Sequence, residues 1–539
     1  MAENTHEYFF ELLTEEIPAG MHAGMEVALR PRLVKLLEEL GCAGELTDQI
    51  RVFSTPRRIV FWLRKLPAGE ADRTEEVKGP PRKNAYDAEG KPTQALLGFL
   101  KKNGADPEAV IPGNDDYVRI RRQIKGRPTD ARIQERVPQI VESIRWPRMM
   151  RWGKGEHTYI RPVHSVISLF DEQPLSIRIF GIASGTRTVG HRTLAPEPIE
   201  VSSFGDYVEK LELGMVILDG ERRRLVMAEK SRALAQQLRG VPAADESIWS
   251  QWQFLTEFPG VVRAEFRPEY LTLPEEVLVT VMRVHQKQLP IRNEAGTLTN
   301  SFLAVMDNVA DPDGNAASGN AFVTNARFAD AKFFYETDRR KPLDDRLEAL
   351  SHLQFQEKLG DYRKKTERIE KIVASLCGAL KCQSAAALRA ARLCKTDLVT
   401  EMVKEFTDLQ GKIGGIYARE EGQREEVWQA IYDHYLPVNV EDRLPRTLSG
   451  ALVSLADKID TLYGFFAVGQ KPTGSKDPFG LRRAAQGVVQ ILLSRDPWEV
   501  PLGIEQLVGF AAAAYGQPTA GPVVAELLAF FEERVRTLL

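Results

Sequence analysis

From about Thr324 to Leu539, apolar residues recur at three- and four-residue intervals with few breaks, and this property constrains the fold more than any other. The interruptions fall at Gly378, Gly411 to Gly415, Pro437, Pro445, Gly469 to Pro478 and Pro497 to Gly503, which divides the stretch into separate helices. Ahead of it the pattern is different. Segments 7–14, 50–53, 59–63, 117–125, 166–170, 177–180, 186–190, 261–266, 289–291 and 302–306 read as strands. Helices are expected over 21–40, 94–103, 204–211, 220–240 and 274–286, and a long polar loop over 78–92. A chain of 539 residues exceeds what one core can organise. The expected class is multidomain α+β: a mixed α/β region over 1–155, a second mixed region over 156–335 and an all-helical domain over 336–539.

Charge limits how such a chain can meet an anionic partner. Its 72 basic and 75 acidic residues leave a net −3, so any nucleic-acid contact must rest on local patches. The four cysteines, Cys42, Cys377, Cys382 and Cys394, are too few for a disulfide framework and lack zinc spacing; buried reduced thiols are expected. The N-terminal MAENTHEYFFELLTEE is acidic without an apolar signal segment, and no run of about 18 apolar residues exists. No membrane span and a cytoplasmic location are expected.

The stretch 456–486, ADKIDTLYGFFAVGQKPTGSKDPFGLRRAAQ, carries two helical patterns around a polar turn. Ala456, Ile459, Leu462, Tyr463, Phe466 and Ala467 share one face, ended by Gly469 and Pro472. Asp477 as N-cap with Pro478 at the first helical position predicts the second helix. Arg482 and Arg483 then sit near its positive end, at a cost of about a few tenths of a kcal/mol unless an anion compensates. Two compensations are open: Asp457 or Asp460 from within, or an RNA phosphate near Gly474, Ser475 and Lys476 from outside.

Other candidates for phosphate contact are the Arg57–Arg58 pair in STPRR, between two strands, and the run WPRMMRWGKGEHTYIRPVH. In the latter Arg148 and Arg151, with Arg145, Lys154 and Arg161, interleave with Trp146, Trp152 and Tyr159. GHR at Gly190 and HQK at His285 offer further donors. Phosphate contacts position a nucleic acid without reading its sequence. No GxxxxGK[ST], GxGxxG after a strand, or GxSxG is present, so no nucleotide-triphosphate loop or nucleophile elbow is expected.

Asp397 in LCKTDLVTEMV, expected inside a helix, His434 in DHYLP and Asp457 in LADKID are similar to ligands of the HD-type metal-dependent phosphohydrolases. A metal that activates water needs several converging His and Asp ligands. Thr396 stands where that family's dyad histidine would be, and His434 is the only histidine between Leu353 and Leu539. These residues therefore read as an HD-like remnant without metal, with an active phosphohydrolase as the alternative.

Eleven phrases in order resemble the β subunit of bacterial heterotetrameric glycyl-tRNA synthetase. They are LLTEEIPAG, FSTPRR, RWG, RPVH, GHR, HQK, ARFADAKFFYETDRRKPL, FQEKLG, CKTDLVTEMVKEF, DHYLP and the stretch from Ala456. The resemblance implies a chain that grips tRNA(Gly) and is required for charging, with no catalytic residue and no cofactor of its own. ATP, Mg²⁺ and glycine are then expected on a separate catalytic α subunit, in an α2β2 assembly. It also implies a B3/B4-like middle region, an HD-like helical domain and a further anticodon-binding domain, for which this sequence leaves no room after Leu539. Editing is not expected of the B3/B4-like region, because a tight glycine pocket excludes every larger amino acid sterically. A tRNA-binding or assembly protein that no longer supports charging is the remaining alternative. The tRNA-contact candidates are Arg57, Arg58, Arg148, Arg151, Lys476, Arg482 and Arg483.

Overall fold

The computed structural model describes residues 5–42, 46–87, 89–111, 116–243, 245–382, 384–474, 476–519 and 521–538. The chain divides into two compact units, one formed by residues 1–263 with 303–316 and the other by 264–302 with 317–539. The expected border at 155/156 falls inside the first unit, and that at 335/336 inside the continuous helix Asn315–Asp338.

The first unit is built on a five-stranded sheet whose central strand, His6–Thr14, lies between Arg58–Leu66 and Val163–Phe170. Ile50–Thr55 flanks Arg58–Leu66 at one edge, and the short Gln173–Pro174 flanks Val163–Phe170 at the other. The run YFFELLT shows no polar alternation because both faces of this strand are covered. Tyr8, Phe10 and Leu12 join Phe61 and Leu63 beneath the helices His22–Glu39 and Thr129–Glu142. Phe9, Val60, Ile167 and Leu169 pack on the other side against Phe204 and Tyr207 of the helix Phe204–Leu213. Register is fixed by pairs such as Phe10 opposite Phe61, whose rings stack at 4.6 Å.

The segment expected as a loop over 78–92 is partly ordered into secondary structure. The strand Arg73–Pro81 pairs with Tyr117–Ile124, and the short helix Arg82–Ala85 follows it. Pro80 and Pro81 are tolerated because they end a strand at the edge of a three-stranded sheet, where no ladder donor is needed. Similarly, the helix expected over 220–240 closes at Gln236, and 240–242 is a strand.

The second unit is dominated by helices arranged around Leu448–Ala467, which packs against Tyr362–Ala379, Ala385–Leu393, Glu425–Asp433, Leu481–Leu493, Ile504–Ala514 and Pro522–Leu538. Of its 20 residues, 17 are buried. A helix this apolar on every side belongs at the centre of a helical core. Gly464 allows the close approach of Tyr515, whose hydroxyl donates to the Asp460 carbonyl at 3.2 Å. Asp397 departs from expectation: it lies in the 3-10 turn Thr396–Val399 between two helices rather than within one. No described helix is long and apolar enough to cross a membrane.

Candidate functional site

In the first unit, Arg57 lies in the two-residue turn joining Ile50–Thr55 to Arg58–Leu66. That turn is pinned to the TEEI segment by Thr14 N–H donating to the Arg57 carbonyl and Ile17 N–H to the Pro56 carbonyl, each at 2.7 Å. Arg58 is fully buried. It pairs with Glu257, donates to the Val189 and Gly190 carbonyls at 2.5 and 3.3 Å, and has Nε 3.7 Å from Glu11. Burial raises the Glu11 carboxyl, and the Arg58 guanidinium partly counters this. Glu257 also accepts from Thr55 Oγ1 at 2.6 Å. These interactions leave Arg58 no access to an external phosphate.

Arg57 differs from its neighbour. It is 9% exposed, with Nη1 3.9 Å from Glu257, and its buried Nε and Nη1 have no hydrogen-bond partner among the described residues. Burial lowers its pKa despite Glu257.

The GHR phrase meets this end of the sheet. His191 Nδ1 accepts from Leu194 N–H at 3.2 Å, and its Nε2 lies 3.1 Å from Asp307. Arg192 pairs with Glu15 and Glu16, and Arg161 Nε donates to the Glu16 carbonyl at 2.8 Å. Phrases scattered over nearly 200 residues thus converge on one charged cluster.

In the basic and aromatic run, the rings and the cations separate. Trp146 and Tyr159 are buried and meet edge to face at 5.6 Å, while Tyr159 packs on Phe180 at 4.6 Å. The strands Met150–Arg151 and Thr158–Tyr159 form a short hairpin over this base. Arg145, Arg148, Arg151 and Lys154 are exposed, and no ion pair or hydrogen bond engages their side chains among the described residues. The buried rings therefore lie beneath this hairpin, and the cations are left exposed.

At the turn before the helix Leu481–Leu493, Asp477 acts as a cap but not from the expected position. The N-cap residue is Gly480, in the left-handed region, and the Asp477 carboxylate accepts from Leu481 and Arg482 N–H, both at 2.9 Å. The anion that offsets the positive helix end is thus Asp477, not Asp457 or Asp460. Arg482 Nη2 donates to the Gly474 carbonyl at 2.7 Å. Lys476 and Arg483 are exposed with no ion pair among the described residues, and Ser475 lies outside those residues. Asp477→Ala should destabilise this helix start by about 1 kcal/mol, read as a lower melting temperature with the remaining fold intact.

The HD-like residues lie in a closed polar core. His434 Nδ1–H donates to the Ile431 carbonyl at 2.6 Å, leaving Nε2 to accept from the Lys395 ammonium at 2.9 Å. Lys395 also reaches Asp457 Oδ2 at 2.8 Å. Lys365 lies 3.0 Å from Asp457 Oδ1 and 2.9 Å from Asp460, which in turn accepts from Arg368 at 2.6 Å.

Burial would raise Asp457, but Lys365 and Lys395 hold it far below the usual carboxylate range. Burial and the neighbouring Lys395 push His434 well below the usual imidazole value, so it is neutral. Asp397 faces elsewhere and accepts from Gly411 N–H at 2.5 Å at the start of the helix Lys412–Glu420; burial pushes it up to about 6. The donor set does not fit a metal, because an ammonium already sits between His434 and Asp457. No group of three or more His, Cys, Asp or Glu is placed to hold one among the described residues. Sequence reasoning missed Lys365, Lys395 and Glu257, whose partners lie far away in the chain.

The first unit thus carries exposed cations over buried rings, and the second holds His434, Asp457 and Asp460 in a buried network with Lys365, Lys395 and Arg368. A family model described as "Glycyl-tRNA synthetase beta subunit" matches residues 8–539. The glycine–tRNA ligase beta subunit of Trichodesmium erythraeum is 37% identical over 99% of this chain and 76% of its own length. Those of Halothermothrix orenii (35%; 99% and 77%) and Geobacter metallireducens (37%; 99% and 78%) are similar. The chain belongs to the glycyl-tRNA synthetase beta-subunit family, and its class is that of a ligase subunit.

Proposed function

We propose that this chain grips tRNA(Gly) by its backbone phosphates while a separate α subunit, holding ATP, Mg²⁺ and glycine, performs the charging reaction in the cytoplasm. The observation that carries this reading is the group of unpaired cations Arg145, Arg148, Arg151 and Lys154 mounted on buried Trp146 and Tyr159. Lys476 and Arg483 form a second such group on the helical unit. Arg57, with two unsatisfied nitrogens, and Arg482, already bonded to Gly474, are secondary contacts. Arg58 is left out because its burial supports the fold. The region over 156–335 would be the B3/B4-like part and the helices over 336–539 the HD-like part of an α2β2 assembly. The Lys395 ammonium between His434 and Asp457 argues against the metal phosphohydrolase alternative.

Each phosphate contact removed should reduce the slope of log affinity against log salt by roughly 1. The double variant Arg148→Ala/Arg151→Ala should therefore lose about 2 units of slope with an unchanged melting temperature. An unchanged slope would remove both residues from the interface. Aminoacylation of tRNA(Gly) with and without purified α subunit tests the division of labour. Charging only when both are present supports it; charging by this chain alone overturns it; no charging with both supports the binding or assembly alternative.

A further inference from the structure

The helical unit holds a cavity of about 620 Å³ between the turn Thr407–Leu409, the start of the helix Lys412–Glu420 and the loop after the helix Glu425–Asp433. Small-ligand pockets span roughly 300–1,000 Å³ and combine apolar walls with a few converging polar groups. Tyr432 and Tyr435 supply the aromatic part of this wall. Both rings are held in place from behind. The Tyr435 ring lies 3.9 Å from the Lys395 ammonium and 3.9 Å from the His434 ring, and the Tyr432 hydroxyl donates to Glu276 at 3.1 Å. Tyr435 is thus packed against the buried Lys395 and His434, and Tyr432 is tied to Glu276.

The polar lining divides into engaged and unengaged groups. Asp442 accepts Val438 and Arg443 N–H at 3.0 Å each, and Arg443 leans on Asp433 at 3.1 Å. The Asp408 carboxylate, Gln410 amide and Lys412 ammonium line the same space, and no hydrogen bond or ion pair engages them among the described residues. One concave space thus presents an aromatic face, an amide that both donates and accepts, a carboxylate acceptor and a cation.

We propose that this cavity binds a nucleotide, its base stacked on Tyr435 and read at its polar edge by Gln410 and Asp408, with the phosphate on Lys412. Bases combine a π face with donor and acceptor edges, and unpaired ones are taken up by aromatic side chains in this way. An acidic peptide would set its charge against Asp408, and inorganic phosphate would leave the aromatic wall uncovered. Two sources supply the same chemistry: a free mononucleotide and an unpaired nucleotide of an RNA strand. The site is independent of the proposed contacts at Arg148 and Arg151.

The test is calorimetric titration of the full chain with AMP, GMP, CMP, UMP and a four-nucleotide single-stranded RNA. Saturable one-site binding is expected. It should weaken by about tenfold or more in Gln410→Ala/Lys412→Glu, since a lost hydrogen bond to a charged group is of that size. Both substituted residues are exposed, so melting should be unchanged; Lys412→Ala alone provides the second variant and should weaken binding in the same direction. A mononucleotide that binds as tightly as the oligonucleotide identifies a free-nucleotide site, and binding of the oligonucleotide alone identifies an RNA strand. No saturable binding of any probe, or undiminished affinity in both folded variants, overturns the proposal. The Arg148→Ala/Arg151→Ala protein should bind these probes normally, which separates this result from failure of the tRNA-contact reading.

Discussion

Arg58→Ala is expected to destabilise the first unit by about 3–5 kcal/mol, because it removes one member of a buried ion pair and leaves the others uncompensated. Glu257 and Glu11, each 1% exposed, would then share a buried space without their guanidinium. The Val189 and Gly190 carbonyls would lose their donor as well. Denaturant unfolding monitored by tryptophan fluorescence should show an early transition for this unit, with much of the protein insoluble on expression. Arg58→Lys should recover only part of the loss, since one ammonium cannot replace a fork that serves two carboxylates and two carbonyls. A variant that melts like the parent would refute the assignment of Arg58 to the core.

Lys395→Met is the second large effect, again about 3–5 kcal/mol, now in the helical unit. Methionine fills similar volume but leaves Asp457 with Lys365 as its one remaining ion-pair partner among the described residues and leaves His434 Nε2 unsatisfied. The pH dependence of the parent protein carries the same information. His434 has a folded pKa depressed far below its unfolded value of about 6.5, so its contribution is present at neutral pH and lost as pH falls below that value. Asp457, also depressed, contributes above about 3.9 and loses that contribution as pH falls further towards its folded value. Asp397, raised to about 6, acts in the opposite sense: its burial cost is relieved as pH falls from 6 towards 4. Melting temperature against pH should therefore fall on acidification, shallowly between about 6 and 4 where His434 and Asp397 oppose, and steeply below. Asp397→Asn should make the upper part of that decline steeper; an identical profile would mean that Asp397 does not titrate as its burial requires.

The sequence pattern disclosed what is local. The strand His6–Thr14, the hairpin around Pro56 and Arg57, and the long helices of the second unit follow from runs and periodicities within about 20 residues. What it could not disclose is partnership across the chain. Nothing near Arg58 marks it as the partner of a glutamate 199 positions away, and a bare RR pair in a turn looks like a surface feature. Lys395 in the CKTD phrase reads as an ordinary helix-end cation until His434 and Asp457 fold around it. Asp477 shows a subtler limit. Its capping role was legible, yet the helix it caps begins at Leu481, because Gly480 in the left-handed region allows the carboxylate to reach forward to amides four and five residues on. The cluster at Trp146 was legible as a cluster, but composition could not separate rings that face inward from cations that face outward.

The near-complete enclosure of Leu448–Ala467 has a consequence for how the helical unit opens. A helix with 17 of 20 residues buried and six helices packed on it has no outer side from which to fray. Its backbone amides can meet deuterated solvent only when those neighbours separate, so their exchange should report the opening of the whole unit rather than a local fluctuation. The slowest-exchanging peptides of this protein should then come from residues 451–466, and they should exchange together.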